Sequence, residues 1–452
     1  MKRIGAEMGG IDAMSSLLFR AFTWFKAAVF ETGHLVYWLN IPFFRHSRRR
    51  VEALPKQEKV RIGFILQVPN NWAVLQSVYD AAKADPQVEP VVLLMPDLHF
   101  AFYIHLKEIL WEKVYAFGEK QFSDGDTVIQ TWNPTTKTWV DPDTLHLDYV
   151  FIPRPYDTYL PKDYRASALR RITRTCYVPY SSPLLGDFPQ MYNIHFIRNL
   201  YHVFCEKQHS YDYVSNRLRI TMRSGDQKVY NAGFPKFDLN WNMEGAESSV
   251  WPRPRDAARL RVLWTPRWTT DNRLCGSNFM NYREEMISWA EQTPDMDLVF
   301  RPHPLALENY VHAGLLTQEE LDMYLRRYEE CENATVDRNP GYYDTFWSSD
   351  LMITDMSSVL MDYMLTGRPI IFCPTIKGKT SSDDRQYDVK NLIDGMYVAR
   401  SFDEIQAFVR QLAGGEDPKK ELRAAMAKMM RREGHSGLDI LHLIKADYFG
   451  KG

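Results

Sequence analysis

Residues 348–374, SSDLMITDMSSVLMDYMLTGRPIIFCP, place one carboxylate and several small hydroxyls where an apolar run gives way to a helical pattern. A helix beginning there would present unsatisfied backbone N–H groups and the positive end of its dipole to a phosphate. Serine hydroxyls at such a position cap the helix or donate to a phosphate oxygen. A capped helix without a ligand fits the spacing equally well. The candidate ligand-binding residues are Thr354, Asp355, Ser357 and Ser358. Since a carboxylate would repel a phosphate directly beside it, Asp355 is expected to orient the loop or to cap the helix.

A second candidate is the stretch LVFRPHPLA, which places Arg301 and His303 on a proline-flanked turn directly after an apolar run. A guanidinium and an imidazole together suit an anionic ligand, with Arg as a forked donor and His as a donor or proton shuttle. A lone histidine is more often structural. A histidine between two prolines at a strand exit favours function.

Two further turns carry weaker signals. LWTPRWTTDN brings hydroxyl and amide groups to another strand exit, yet an ordinary loop has the same composition. In NAGFPKFD, Gly233 and Pro235 form a turn whose favoured interpretation is a hinge without ligand contact. The first turn contributes the candidates Thr265, Arg267, Thr269, Thr270, Asp271 and Asn272.

The first half of the chain offers fewer titratable groups at its strand exits. LQVPNNWAVLQSVYD supplies Asn70, Asn71 and Trp72 but no histidine before its helix. MPDLHF adds Asp97 and His99, and PRPYD adds Arg154 and Asp157. Of these residues, His99 and Asp157 are the candidates for a general base.

The elements that position these residues alternate between strand and helix from residue 59 onward. Near-continuous apolar strands separated by helices predict parallel sheets covered on both faces. Residues 119–147 predict a β-hairpin insertion, and NWNMEGAESSVWPRPRD predicts a linker. The predicted domains are a helical segment at 1–55, Rossmann-like domains at 56–238 and 239–420, and C-terminal helices at 421–452. Ligands of such sheets bind beyond the carboxyl ends of the strands, here in a cleft between the domains.

The composition describes an ordinary globular protein. The 452 residues are 45% hydrophobic and 25% charged, with a formal net charge of −2, which gives no electrostatic footprint for nucleic acid. The five cysteines (Cys176, Cys205, Cys275, Cys331 and Cys373) form no CxxC pair, so neither a zinc site nor a disulfide framework is indicated. This spacing fits a reducing cytoplasm.

The first 50 residues are rich in aromatic and aliphatic side chains, but charged residues interrupt them before a span of about 18–20 residues is reached. One interpretation is an amphipathic helix packed on the protein body. The slightly favoured one is a helix in the membrane interface, peripheral to the inner face of the cell membrane. Its headgroup-facing residues would be Trp24, Phe25, Trp38 and Phe43, with Arg45, Arg48, Arg49 and Arg50 facing anionic lipid.

No GxGxxG, GxxxxGK[ST], HExxH or GxSxG motif occurs, which removes the usual support for dehydrogenases, P-loop NTPases, zinc proteases and serine hydrolases. GFPKFD, LWTPRWTTDN, RPHPLA and DLMITDMSSVLMDYMLTGRPIIF occur in this order. In order and spacing they resemble the CDP-glycerol glycerophosphotransferase family, whose members build teichoic acid and related polyol-phosphate polymers. The resemblance spans roughly residues 60–410.

The resemblance implies a GT-B architecture that holds a CDP-activated donor in the second half and needs no metal or other cofactor. It implies that His303 contacts the donor phosphate, that Ser357 and Ser358 hold the diphosphate, and that Asp362 reaches the ribose. The acceptor would be a hydroxyl of a lipid-linked or polymeric molecule. One departure is clear: better-known members resemble one another in a histidine at the first strand exit, where this chain has Asn70, Asn71 and Trp72.

Two alternatives remain open. A UDP-sugar glycosyltransferase or 2-epimerase of the same architecture resembles this chain in its His-Pro turn, but those enzymes carry paired glycines and a glutamate in the diphosphate loop. A scaffold protein that kept the fold and lost catalysis would explain the missing histidine of the first half. Nucleotide preference separates the three interpretations.

Overall fold

The computed structural model describes residues 34–98, 109, 111–181, 191–269, 277–339, 341–355, 357, 359–375, 393–431 and 434–450. The first half contains a parallel sheet in the order β3-β2-β1-β6-β7-β8-β9. Its strands are β1 Val60–Leu66, β2 Val88–Leu94, β3 Thr127–Gln130, β6 Tyr149–Phe151, β7 Arg174–Tyr177, β8 His202–Cys205 and β9 Lys228–Asn231. A separate antiparallel pair consists of β4 Trp132–Asn133 and β5 Thr138–Trp139.

The sheet is buried on both faces because its strands are apolar on both faces. In β1, Ile62 and Phe64 belong to one buried cluster, whereas Ile65 belongs to the cluster on the other side. This alternation follows from the two-residue period of a strand. The helices of the first half are α1 His34–Glu52, α2 Ala73–Ala84, α3 Glu112–Gln121, α4 Ala166–Leu169, α5 Ile194–Ile197, α6 Gln208–Arg223 and α7 Pro235–Trp241.

The second half repeats the design with a parallel sheet in the order β12-β11-β10-β13-β14-β15. Its strands are β10 Leu260–Thr265, β11 Met296–Phe300, β12 Ala334–Val336, β13 Leu351–Thr354, β14 Ile370–Phe372 and β15 Tyr397–Val398. Its helices are α8 Phe279–Gln292, α9 Ala306–His312, α10 Gln318–Glu330, α11 Tyr343–Ser348, α12 Val359–Met364, α13 Phe402–Ala413 and α14 Lys420–Arg431. The predicted pair of doubly wound α/β domains is confirmed.

The last helix, α15 Ser436–Phe449, returns to the first half. Ile440 and Ile444 lie in the same buried cluster as β1 and α2. Gly437 permits this close approach, since a Cβ at that position would lie 2.4 Å from Ser77 Oγ and 2.5 Å from its carbonyl carbon. The chain end is therefore part of the core of the first half.

Helix α1 packs on the first half through a stripe at helical spacing. The ring of Phe44 lies 5.2 Å from that of Tyr201, centroid to centroid. Arg45 Nε and Arg48 Nη1 approach the Asp226 carboxylate at 2.8 and 3.3 Å, so these two arginines are engaged by the protein. Among the helices of the described residues, none is long and apolar enough to cross a membrane. The buried stripe of α1 consists of Ile41, Phe44, Ser47 and Val51.

The structure gives the bounds of several predicted details. The turn predicted in NAGFPKFD lies between β9, which ends at Asn231, and α7, which begins at Pro235, a residue whose fixed φ favours the first helical turn. The hairpin is confined to residues 132–139, while β3 joins the main sheet. The predicted boundary at residue 238 falls within α7. Trp24 and Phe25 lie outside the described residues, and nothing is described of the Trp38 side chain.

Candidate functional site

The candidate residues of the second half gather at one edge of its sheet. Strands β10 and β13 are parallel neighbours, and the strand order changes direction between them. The segments that follow them therefore leave the sheet at the topological switch point, where open α/β sheets bind ligands. Thr265 ends β10 and Thr354 ends β13, and the two residues are directly paired.

Asp355 is a clamp between loops. Its Oδ1 accepts the backbone N–H of Arg267 at 2.7 Å, and its Oδ2 accepts that of Asn278 at 2.9 Å. Asn278 in turn donates from Nδ2 to the carbonyl of Cys373 at 2.7 Å. Burial raises the pKa of Asp355 to about 6, although the two N–H donors favour its ionised form. Its observed role is to position the loops after β10, β13 and β14.

The threonine hydroxyls near Asp355 differ in their hydrogen bonds. Thr354 donates from Oγ1 to the carbonyl of Thr265 at 2.8 Å and thereby ties the two strand ends. The Thr265 hydroxyl is buried without a hydrogen-bond partner among the described residues. Ser357 is buried, and its backbone N–H donates to the carbonyl of Asp355 at 2.8 Å. Ser358, Thr270, Asp271 and Asn272 lie outside the described residues, so their predicted roles stay predictions.

Arg301 is bound to the segment that follows β12. Its Nη1 pairs with Asp337 Oδ2 at 2.5 Å, and its Nη2 donates to the carbonyl of Asn339 at 2.8 Å. The guanidinium also lies 5.0 Å from the centre of the Tyr342 ring. These contacts fix Arg301 to the segment after β12, so its predicted catalytic role would require it to leave or share them.

His303 is a neutral donor in this structure at pH 7. Burial, assisted by the positive charge of Arg267, lowers the pKa of His303 to about 4. Its Nδ1 accepts the N–H of Leu305 at 3.2 Å, which assigns the ring proton to Nε2. The ring lies 5.7 Å from that of Trp268. The imidazole therefore offers a hydrogen bond to a ligand oxygen, while Arg267 supplies the positive charge.

Asp362 forms a tie between the halves. Its Oδ2 pairs with Lys236 Nζ at 2.6 Å and accepts the hydroxyl of Tyr342 at 2.9 Å. Its carbonyl accepts Asn240 Nδ2 at 2.7 Å. Sequence reasoning missed Lys236 and Tyr342, although Lys236 is the only charged residue before the aspartate in GFPKFD. The expected contact of Asp362 with a ribose stays a prediction. A ribose would have to share this carboxylate with Lys236 and Tyr342.

Trp72 and Asp157, at two strand exits of the first half, both contact other residues of that half. Residues Pro69–Asn71 form a short 3-10 helix, and Trp72 is buried against Phe122, with ring centres 5.2 Å apart. Asp157 accepts the N–H of Ala166 at 3.0 Å and so holds the first turn of α4, which gives this proposed base a structural role. His99 lies outside the described residues.

The sequence and the fold match those of known proteins. Residues 203–433, slightly more than half of the chain, match the family model described as CDP-glycerol:poly(glycerophosphate) glycerophosphotransferase. A curated relative, the minor teichoic acid biosynthesis protein GgaB of Bacillus subtilis (strain 168), is 25% identical over 154 residues. That segment is 32% of this chain but only 15% of the relative.

Two solved structures share the fold. S. aureus MnaA in complex with UDP matches with a TM-score of 0.57 and 11% identity, covering 87% of this chain and 98% of its own. A structure of the wall teichoic acid polymerase TagF matches with a TM-score of 0.52 and 13% identity, covering 92% and 96%. Both likenesses establish the two-sheet architecture.

We predict that Asp355→Asn destabilises the protein at pH 7, because an amide accepts at one atom only and leaves one clamped N–H facing an NH2 group. The expected loss is about 1–3 kcal/mol in the free energy of unfolding measured with urea. Asp350→Asn is the matched control. Asp350 Oδ2 accepts the N–H of Arg261 at 2.8 Å at the other end of the same strands, so this variant measures the cost of replacing a carboxylate that holds a backbone N–H away from the site.

The pH dependence adds a sharper readout. The folded carboxyl binds its proton near pH 6, whereas the unfolded one binds it near the ordinary value of 3.8. Between these values the native state binds more protons, so wild type gains stability relative to Asp355→Asn as the pH falls from 7 to 5. A stability difference that stays constant over this range would contradict the assignment.

Proposed function

The chain belongs to the CDP-glycerol:poly(glycerophosphate) glycerophosphotransferase family, and on this premise we propose that it transfers glycerol phosphate, or a related polyol phosphate, from a CDP-activated donor to an acceptor hydroxyl. CMP is the second product. The polymer made would be a teichoic-acid-like or capsular polymer of the cell envelope. The observation that carries the proposal is the grouping of Arg267, in the loop after β10, with His303, in the loop after the neighbouring strand β11, where the rings of Trp268 and His303 lie 5.7 Å apart within the segment that matches the family model.

The proposed step is a single phosphoryl substitution. The acceptor hydroxyl oxygen attacks the phosphorus that bears glycerol, the bond from that phosphorus to the bridging oxygen breaks, and CMP departs with the electron pair. The hydroxyl proton passes to a base or water on the acceptor side. Negative charge grows on the departing CMP phosphate, so fixed donors that face it would supply most of the acceleration.

Arg267 and His303 are suited to that task by different properties. Arg267 has its backbone N–H fixed by Asp355 and its carbonyl fixed by the Tyr310 hydroxyl at 2.8 Å, so the residue starts from a rigid position. His303 presents a neutral N–H that needs no protonation to act. A prepositioned charge and a prepositioned dipole cost little reorganisation during the reaction.

We propose that the outer face of α1 contacts an anionic membrane carrying a lipid-linked acceptor. Phe43 is 68% exposed, and His46, Arg49 and Arg50 are exposed one turn and two turns further along. An exposed ring beside cationic side chains suits the headgroup region. Since Asp226 engages Arg45 and Arg48, the proposed lipid contact is restricted to Arg49 and Arg50 among the arginines predicted from the sequence.

Nucleotide binding tests the function. We expect CDP-glycerol, CDP-ribitol and CMP to raise the thermal stability of wild type, by about 2.7 kcal/mol at 100 times the dissociation constant, and UDP-GlcNAc to leave it unchanged. The double variant Ser357→Ala/Ser358→Ala should lose this response. Ser401→Ala is the control, because Ser401 caps α13 through the N–H of Glu404, away from the site. Stabilisation by UDP-GlcNAc alone would indicate a UDP-sugar enzyme, and no response to any nucleotide a scaffold.

His303→Ala should lower kcat by about 10²–10³-fold, the usual effect of removing one fixed donor to developing charge. CMP affinity should change by much less, because the donor acts mainly on charge that forms in the transition state. His442→Ala, an exposed histidine on α15, serves as the control. Near-normal turnover of His303→Ala would remove His303 from the reaction.

The membrane contact predicts that Arg49→Glu/Arg50→Glu weakens sedimentation with phosphatidylglycerol-containing vesicles. Each basic residue near an anionic surface contributes about 1 kcal/mol, so the loss should be about 30-fold or more at low salt. Arg338→Glu/Arg410→Glu reverses two exposed arginines of the second half and should bind as wild type. Equal vesicle binding by both double variants would contradict a role for α1.

A further inference from the structure

Three polar side chains converge at the carboxyl edge of the first sheet. Gln67 follows β1 directly, and Asp97 and Arg154 each lie three residues beyond the ends of β2 and β6. These strands are neighbours in the order β2-β1-β6, and the strand order changes direction between β1 and β6. The cluster therefore occupies the switch point of the first half, the counterpart of the donor-side site in the second half.

Arg154 is the centre of this cluster. Its Nη2 pairs with Asp97 Oδ1 at 2.9 Å and donates to Gln67 Oε1 at 3.1 Å, and the side chains of Arg154 and Asp97 are each only 10% exposed. Gln67 donates from Nε2 to the carbonyl of Tyr159 at 2.9 Å. Both of these contacts of the guanidinium with the described side chains are made by Nη2.

The guanidinium keeps one donor, on the edge that carries Nε, for which the described residues supply no acceptor. Arg154 Nε is buried without a hydrogen-bond partner among the described residues. A buried ion pair is weak support for stability, and leaving a donor unsatisfied adds a further cost. A ligand oxygen that accepts from this edge would remove that cost.

Tyrosines extend the cluster into a surface suited to hydroxyl groups. The guanidinium lies 5.2 Å from the centre of the Tyr159 ring, which is 5.3 Å from that of Tyr156. The hydroxyls of Tyr156 and Tyr180 are 3.0 Å apart, and both residues are half-buried. Such residues combine an apolar ring with a polar end.

We propose that this cluster is the binding subsite for the hydroxyl-rich end of the acceptor. Arg154 and the tyrosines contact the acceptor, and Asp97 acts as a positioning residue for Arg154. The ligand class is a polyol. The Arg154–Asp97 pair carries no net charge, and the polar groups beside it are the amide of Gln67 and the hydroxyls of Tyr156 and Tyr180, which suit hydroxyl groups. This inference rests on the proposed transfer to a hydroxyl acceptor. It names residues that would contact the acceptor, because Trp72, which follows the β1 exit, is buried.

The chain contains a matched control for Arg154 at the opposite edge of the same sheet. Arg174 begins β7, and its Nε lies 3.8 Å from Asp447 Oδ2. Its guanidinium lies 5.3 Å from the centre of the Tyr149 ring, and its side chain is 9% exposed. Arg154→Gln and Arg174→Gln thus both disturb a buried arginine that pairs with an aspartate beside a tyrosine, but at different edges.

The experiment compares both variants in transfer assays with a synthetic glycerol-phosphate trimer as the acceptor probe, and in calorimetric titrations of that trimer at saturating CMP. Arg154→Gln should raise the KM for the trimer and weaken its binding by about 10- to 100-fold, with the KM for CDP-glycerol unchanged. Arg154→Lys should recover part of the loss. Arg174→Gln should change neither quantity.

Two further measurements keep the proposal open to contradiction if Arg154→Gln fails to fold. Tyr156→Phe, which removes one half-buried hydroxyl, should weaken trimer binding several-fold, and uncharged triglycerol should compete with the trimer because a neutral pair recognises hydroxyl groups. Competition by inorganic phosphate but not by triglycerol would show an anion site and overturn the polyol assignment. Equal effects of Arg154→Gln and Arg174→Gln on the KM for the trimer would overturn the subsite.

The outcome also separates this inference from the proposed function. If wild type binds the trimer through Arg154 but ignores cytidine nucleotides, the donor assignment fails and the subsite stands. If wild type transfers glycerol phosphate and Arg154→Gln keeps the KM for the trimer, the function stands and the subsite fails.

Discussion

One buried carboxylate holds the edge of the second sheet together. Asp355 accepts N–H groups from the segment after β10 and from the start of α8 at 2.7 and 2.9 Å, and through Asn278 it reaches the segment after β14. Loops at a strand exit lose their ladder partners, so their N–H groups need other acceptors. A carboxylate between them satisfies two at once. The cost of burying its charge is visible in its raised pKa of about 6.

The GFPKFD segment performs the same task between the halves. Lys236 pairs with Asp362 on α12, and Asp238 accepts the N–H of Gly437 at 2.8 Å at the start of α15. Burial raises the pKa of Asp238, and the N–H of Gly437 opposes that shift. One short helix therefore contacts both the donor-side segment and the helix that returns to the first half. This arrangement explains why a turn interpreted as a simple hinge carries a half-buried lysine paired with an aspartate and a buried carboxylate that accepts backbone N–H groups.

The family model covers the two halves of the chain unequally. The family model begins at residue 203, within β8, so it spans the whole second sheet but little of the first. The proposed donor side thus joins geometry to family membership. The proposed acceptor side depends on geometry, through a switch point where Arg154, Asp97 and Gln67 meet.

Local sequence determined the elements and their order. Apolar runs such as those of β1, β10 and β13 are buried on both faces, and this required the parallel sheets that were predicted. The motifs also placed Arg267, His303, Thr354 and Asp355 at strand exits. Short elements such as β12 and α11 were missed, since three to six residues carry too little periodicity to recognise.

What the tertiary structure alone decided is the partner of each polar side chain. Asp355 was expected to orient its loop, but the N–H groups that it holds lie 77 and 88 positions away in the chain, and the lysine that pairs with Asp362 lies 126 positions away. The candidate base Asp157 accepts an N–H at the start of α4, a contact nine positions away in the chain, and Arg154 gains importance only from the meeting of three strands. Residue type and local pattern fix whether a side chain leaves the sheet at its active edge. Which atoms meet there depends on long-range packing, which no short stretch of sequence encodes.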